Sequence, residues 1–279
     1  MKRLVSALCI LPPLVLIVYF GSAFHFLLLL TCVVGLGLLE FYRMFSAKGF
    51  PCWRGLGVVI GSLLPLAFYA GGLAHQAIAQ QAAATAIVAL LFLTGLFARC
   101  EPAVSAQRIA FTLLGVFYVG WLLSYVLLLR LLSDGPAYVF YIFGVVWLGD
   151  AAAFVSGTLL GRHKLAPTIS PHKTIEGAIG GLFGSLCGAI LGGLWLLGHF
   201  TLGQCLAVGM MLAVVGQLGD LSESLLKRST GVKDSGMLIP AHGGILDKVD
   251  GILFGAPALY YYVLYVIGQE LPSATNTVM

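Results

Sequence analysis

The sequence predicts an all-α protein: a polytopic membrane helical bundle of about nine transmembrane helices, with its N-terminus in the cytoplasm. Three observations predict it. Of 279 residues, 59% are apolar and only 9% charged, and the mean hydropathy of +1.00 is more than a water-soluble domain of this length needs. The apolar residues fall in runs of about 17 to 25, long enough to cross a hydrocarbon core as helices that satisfy their own backbone hydrogen bonds. The basic residues, finally, gather on one side of the alternation these runs impose. The short alternating segments of a β-barrel are not found in the sequence. Many of the 36 glycines lie inside the runs, where they let helices pack backbone to backbone.

In chain order the runs are Leu4 to Phe20, Ala23 to Leu39, Leu56 to Leu73, Ala82 to Ala98, Ile109 to Leu129, Ala137 to Leu160, Ile175 to Leu197, Leu202 to Leu218 and Gly251 to Ile267. Pro12 and Pro13 are expected to kink or break the first. Gly21-Ser22-Ala23 could pass for a signal-peptide cleavage site, but the second run begins at once, so the first is read as a retained span. Lys2 and Arg3 ahead of it place the N-terminus inside. Nine crossings from there leave Lys2, Arg3, Arg43, Lys48, Arg54, Arg99, Arg108, Arg162, Lys164, Lys173, Lys227, Arg228, Lys233 and Lys248 on the cytoplasmic side. Arg130 alone falls on the other, so fourteen of fifteen bases obey the count.

The chain divides softly near residue 105. Residues 1–105 hold about four spans with little polar content. Residues 106–279 hold about five, with cytoplasmic loops at 161–175 and 219–250 and nearly all the clustered ionisable groups. Cys9, Cys32, Cys52, Cys100, Cys187 and Cys205 are scattered without a Cys-x-x-Cys pair and are read as packing residues. His25, His75 and His199 lack an ionisable cluster and are read as structural or interfacial. The tryptophans, Trp53, Trp121, Trp147 and Trp195, are read as facing lipid or the interface.

The stretch from Gly219 to Asp250 carries the chemistry. It packs five acids and four bases between two apolar runs, a density that points to anionic substrates held by metal and basic groups. Asp220, Glu223, Ser224 and Lys227 fall at i, i+3, i+4 and i+7, so a helix continuing out of the eighth span shows them on one face. An amphipathic helix on the membrane surface is the other reading, but such a helix carries a mainly basic polar face, and this one leads with two acids. Gly231 is placed to end it, with Lys227 and Arg228 at its negative end. After Lys233 and Asp234 comes His242-Gly243-Gly244, a turn whose backbone N–H groups can approach a phosphate. Asp247 and Asp250 follow, one turn apart. Carboxylates from two segments, Asp220 on one and Asp247 with Asp250 on the other, are arranged to converge on a hard cation such as Mg²⁺. The competing reading pairs them with Lys227, Arg228, Lys233 and Lys248 as an ion-pair network.

Asp150 is the most buried-looking acid, about twelve residues or roughly 18 Å from the cytoplasmic end of its span. It is expected to face a polar cavity or a basic partner, or to make a structural bond between helices. The basic loop that follows, with Arg162, His163, Lys164, His172, Lys173 and Glu176, suits an anionic lipid or nucleotide as well as simple positive-inside charge.

SLLKRSTGVKDSGMLIPAHGGILDKVD, from Ser224 to Asp250, resembles the signature of the phosphatidate cytidylyltransferases, also called CDP-diacylglycerol synthases. GRHKLAPTISPHKTIEGAIGG, from Gly161 to Gly181, and WLGDAAAF around Asp150 also resemble that family. The likeness is strong from about residue 145 to 255 and weaker over the first hundred. One position departs from the pattern: the family carries arginine where this chain has Lys248, which keeps the charge but loses the bidentate fork.

The resemblance implies a reaction of CTP with phosphatidic acid to give CDP-diacylglycerol and pyrophosphate. It implies Mg²⁺, with K⁺ assisting, a homodimer among membrane lipids, and a site on the cytoplasmic side of the inner membrane. Carried onto this chain, Asp220 and Asp247 are the expected metal ligands, with Asp250 and Ser224 as helpers. Lys227, Arg228, Lys233, Lys248 and the turn at His242, Gly243 and Gly244 would hold triphosphate and lipid phosphate. Lys173 and Lys164 would draw in an anion, and Asp150 would line the cavity. The alternatives are an ion-coupled transporter, a family member impaired by Lys248, and a CDP-alcohol phosphatidyltransferase, whose D-G-x-x-A-R motif is not found.

Overall fold

A computed structural model describes residues 12–71, 75–236 and 243–268. Residues 12–20 are helical (α1); Lys2, Arg3, Cys9 and the rest of the first predicted span lie outside the described residues. The other helices follow the apolar runs: α2 (Ala23–Ala47), α3 (Arg54–Gly71), α4 (Gln76–Phe97), α5 (Pro102–Leu131), α6 (Gly135–Leu160), α7 (Ile175–Leu197), α8 (Leu202–Ser229) and α9 (Leu246–Ile267). These eight, among the described residues, are long and apolar enough to cross a membrane. The architecture is that of a multi-pass membrane protein.

Several helices outrun the apolar segment that announced them. α2 continues past Leu39 to Ala47, and α8 past Leu218 to Ser229. Hydropathy stops where the lipid stops, whereas the i→i−4 ladder continues until a residue ends it. For α8 that residue is Gly231, at φ +76°, where glycine adopts the left-handed conformation at no steric cost. The predicted loop at 161–175 contains a hairpin of β1 (Lys164–Ala166) and β2 (Ser170–Thr174), antiparallel with Lys164 opposite Thr174. Thr174 then caps α7, its hydroxyl accepting the Gly177 N–H at 3.0 Å.

The chain forms two compact units. Met1–Leu131 and Thr230–Lys248 belong to the first, Leu132–Ser229 and Val249–Glu270 to the second, as far as they are described; residue 105 falls inside the first. That unit is centred on aromatic residues of α2: Phe41 stacks on Phe45 with ring centroids 4.5 Å apart, and the buried Tyr42 hydroxyl donates to Thr112 O at 2.7 Å. Glycines at 57 and 115 make room for the Tyr42 ring.

In the second unit α6 lies against α7 along small residues, Gly149 and Gly157 facing Gly181 and Gly177. With lipid as apolar as leucine, such close backbone contact supplies the van der Waals packing that holds helices together. Gln217 on α8 donates to Ala178 O on α7 at 3.0 Å. A Cβ on Gly219 of α8 would strike the carbonyl oxygen of Asp250, so this glycine lets α8 and α9 meet backbone to backbone. Large apolar side chains such as Phe154, Leu159 and Trp195 are exposed, as lipid-facing residues are.

Candidate functional site

The contact at Gly219 sets the geometry of what lies beside it. Asp220 follows on α8, Glu223 comes one turn later, and Asp250 faces them from α9. One ligand oxygen from each lies within 4.8 Å of the others. Gathering three acids costs charge repulsion, which two lysines offset. Lys173 Nζ, from β2, sits 2.6 Å from Asp220 Oδ2, and Lys227 Nζ sits 2.5 Å from Glu223 Oε2. The second pair is well withdrawn from water, the side chains being 12% and 1% exposed, so removing either partner leaves a costly buried charge.

The hairpin that supplies Lys173 is tied at both ends. Glu176, in the first turn of α7, accepts the backbone N–H of Arg162 at 3.0 Å and of His163 at 3.2 Å, and pairs with His163 Nδ1 at 2.6 Å. From the other side, Arg228 Nε donates to Ile169 O at 3.2 Å. Arg228 therefore positions backbone as well as carrying charge. Lys164 is exposed on β1 and Ser224 is buried one turn beyond Asp220.

Asp150 differs from expectation: it is exposed in the single chain, not buried. It stands on the wall of a small cavity with Gly149, Gly181, Ser185 and Gln217, within Coulombic reach of Asp250. Small residues on α6 and α7 leave the space into which it opens.

In the first unit Asp247 has a different company. Its Oδ2 accepts the Gly244 N–H at 2.8 Å, the Ser235 N–H at 3.2 Å and the Ser235 hydroxyl at 3.0 Å. Gly243, at φ +87°, makes the reversal that points the Gly244 N–H inward. Lys233 and Lys248 are exposed, and His242 lies outside the described residues. A second acid, Glu40 of α2, reaches the same segment through Ser235 Oγ at 3.2 Å and Leu246 N at 3.1 Å.

Two acids beside these groups, Glu223 and Glu40, are not among the site residues expected from the sequence. Glu223 shares the helix face of Asp220 at i+3, and that spacing is its signal in the sequence. Glu40 had no local signal, since its partners stand 195 and 206 residues away. For a metal, the cluster of Asp220, Glu223 and Asp250 fits a hard divalent ion: all donors are oxygens, they come from two helices, and they converge.

The chain matches the model of the cytidylyltransferase family over residues 1–266. It is 49% identical over 150 residues to a Staphylococcus haemolyticus protein named phosphatidate cytidylyltransferase, covering 54% of this chain and 57% of that one. Proteins of the same name from Staphylococcus saprophyticus and Staphylococcus aureus (strain COL) are 42% identical over 157 residues and 45% over 150. Those matches cover 56% and 54% of this chain, and 60% and 57% of the relatives. The chain thus spans less than two thirds of the length of these relatives.

Proposed function

The chain belongs to the cytidylyltransferase family, and from that premise we propose that it transfers the CMP of CTP to phosphatidic acid, giving CDP-diacylglycerol and pyrophosphate. A phosphomonoester oxygen of the lipid attacks the α-phosphorus of CTP, the bond to the β-phosphate's bridging oxygen breaks, and pyrophosphate leaves. Such a reaction asks the protein for position and charge more than for covalent chemistry. The observation that carries the reading is the convergence of Asp220, Glu223 and Asp250 within 4.8 Å, with lysines paired to two of the three.

In this reading Asp220, Asp250 and Glu223 hold Mg²⁺, which supplies charge neutralisation to the reacting phosphates. Lys173 and Lys227, drawn off the acids, hold phosphate oxygens, and Ser224 and Asp150 line the approach. Lys164 and Arg228 add positive potential. Asp247 is expected from the sequence to share the cation with Asp220; in this reading it serves as the acid that shapes the Gly243–Gly244 turn, and the exposed Lys233 and Lys248 offer charge to an anion. Lys248, a point charge, attracts phosphate without gripping it bidentately. A cytoplasmic site in the inner membrane suits both substrates, because CTP arrives from water and the lipid from the leaflet. K⁺ as an assisting ion and a homodimeric state complete the reading; cation replacement and cross-linking in native membranes test them.

The deciding experiment incubates the detergent-purified protein with labelled CTP, phosphatidic acid and Mg²⁺ and identifies the lipid product. CDP-diacylglycerol that forms with Mg²⁺ and vanishes with chelator is the expected result. Ion flux into liposomes without CTP, and no nucleotide product, would instead favour a transporter.

A further inference from the structure

Glu40 is a carboxylate almost entirely removed from water, 1% exposed, at the end of an apolar run on α2. An apolar side chain packs in such a place at lower cost, so a buried acid there needs a reason beyond stability. Its bonds supply one. Glu40 Oε2 accepts the N–H of Leu246 at 3.1 Å, one of the donors that the first turn of α9 cannot satisfy internally. The same oxygen lies 3.2 Å from the Ser235 hydroxyl, which is 3.0 Å from Asp247 Oδ2. One hydroxyl carries one proton, so Ser235 bridges two carboxylates whose positions it couples. The surroundings are cut to fit: a Cβ on Gly236 would come within 2.5 Å of Glu40 Oε1, and one on Gly244 within 2.5 Å of Oε2. One turn before Glu40, Gly37 lets Leu246 settle on α2, a Cβ there coming within 3.2 Å of its Cδ2.

We propose that Glu40 is a positioning residue: through Ser235 and the Leu246 N–H it fixes the Gly243–Gly244 turn and Asp247 in the conformation that receives a substrate phosphate. It touches no substrate itself. The phosphate-receiving part rests on the function proposed above, whereas the clamp rests on contacts within the first unit alone.

The test compares wild type with Glu40→Ala, Glu40→Gln, Glu40→Met and Ser235→Ala, each as the full chain in detergent. Hydrogen exchange is read over 235–247, and KM and kcat over CTP concentration. Glu40→Ala is expected to speed exchange across 243–247, leave α3 to α5 unchanged and raise KM for CTP at least about tenfold, the scale of a small misplacement in a site. Glu40→Gln keeps both the volume and an acceptor oxygen and is expected to recover most of the loss, whereas Glu40→Met, which fills similar space without an acceptor, is expected to behave like alanine; recovery by both would mean that Glu40 only fills space. Should Glu40→Ala fail to fold, Ser235→Ala carries the test, since it removes the bridge while sparing the buried acid. Wild-type exchange and wild-type KM in the folded variants would overturn the proposal. Absence of any CDP-diacylglycerol from wild type would instead overturn the functional reading, and the exchange data would still decide whether Glu40 is the clamp.

Discussion

Lys173 and Lys227 occupy the acids on which the proposed chemistry depends, and their exposure differs in a way that separates their roles. The Lys227–Glu223 pair is buried, whereas Lys173 and Asp220 are 26% and 32% exposed, a weaker contact that solvent already loosens. Lys173→Met is therefore expected to bind Mn²⁺ more tightly without substrate, by ~1 kcal/mol or about fivefold in Kd, while turning over more slowly. Electron paramagnetic resonance titration reads the first effect; unchanged or weaker binding would show that lysine and cation do not compete. Asp220→Asn and Asp250→Asn are each expected to lower kcat/KM about a hundredfold or more, since a metal supplies several kcal/mol to such a transition state. Near-normal turnover in either would remove that residue from the cation's shell. At this scale the helix-face spacing made Asp220 and Lys227 legible together. Glu40 was not legible, because no local pattern announces a partner that only long-range packing brings within reach.

Among the elements, the α8–α9 contact and the β1–β2 hairpin decide where the charged groups stand. Gly219→Ala places a methyl against the Asp250 carbonyl, so the helices must part or the backbone shift, at about 1–3 kcal/mol. The expected outcome is a lower melting temperature with a further loss of turnover, because the carboxylates move with the backbones that carry them. Glu176→Ala removes three side-chain contacts from α7 to Arg162 and His163 and leaves the bond from the Ile175 N–H to His163 O. Trypsin is then expected to cut at Arg162 or Lys164 faster than in wild type; equal cleavage rates would mean the hairpin holds without Glu176. The length of α8 was foreseeable, since the polar face continued the period of its apolar run and Gly231 marked the end. The hairpin was not: three- and five-residue strands are too short to build a periodic signal, and the contacts that Glu176 and Arg228 make with it come from flanking helices.

For the molecule as a whole, the eight spans of the described residues follow from hydropathy with little ambiguity, because lipid tolerates no unsatisfied backbone. Sidedness rests on the distribution of bases. Cysteines introduced at Lys164 and at Thr201 in a cysteine-free chain are expected to react with a membrane-impermeant maleimide from opposite sides of sealed vesicles, Lys164 from the cytoplasmic one. Labelling of both from one side would break the nine-crossing count.

The two lysines also bear on how the protein is made. Two ammonium groups set against the three acids reduce the repulsion between the helices that carry them when no ion is at hand. Unlike domains whose bound metal is the source of their folding energy, a chain that holds the proposed cation in this way is expected to fold in a magnesium-starved cell and to begin work when the ion returns.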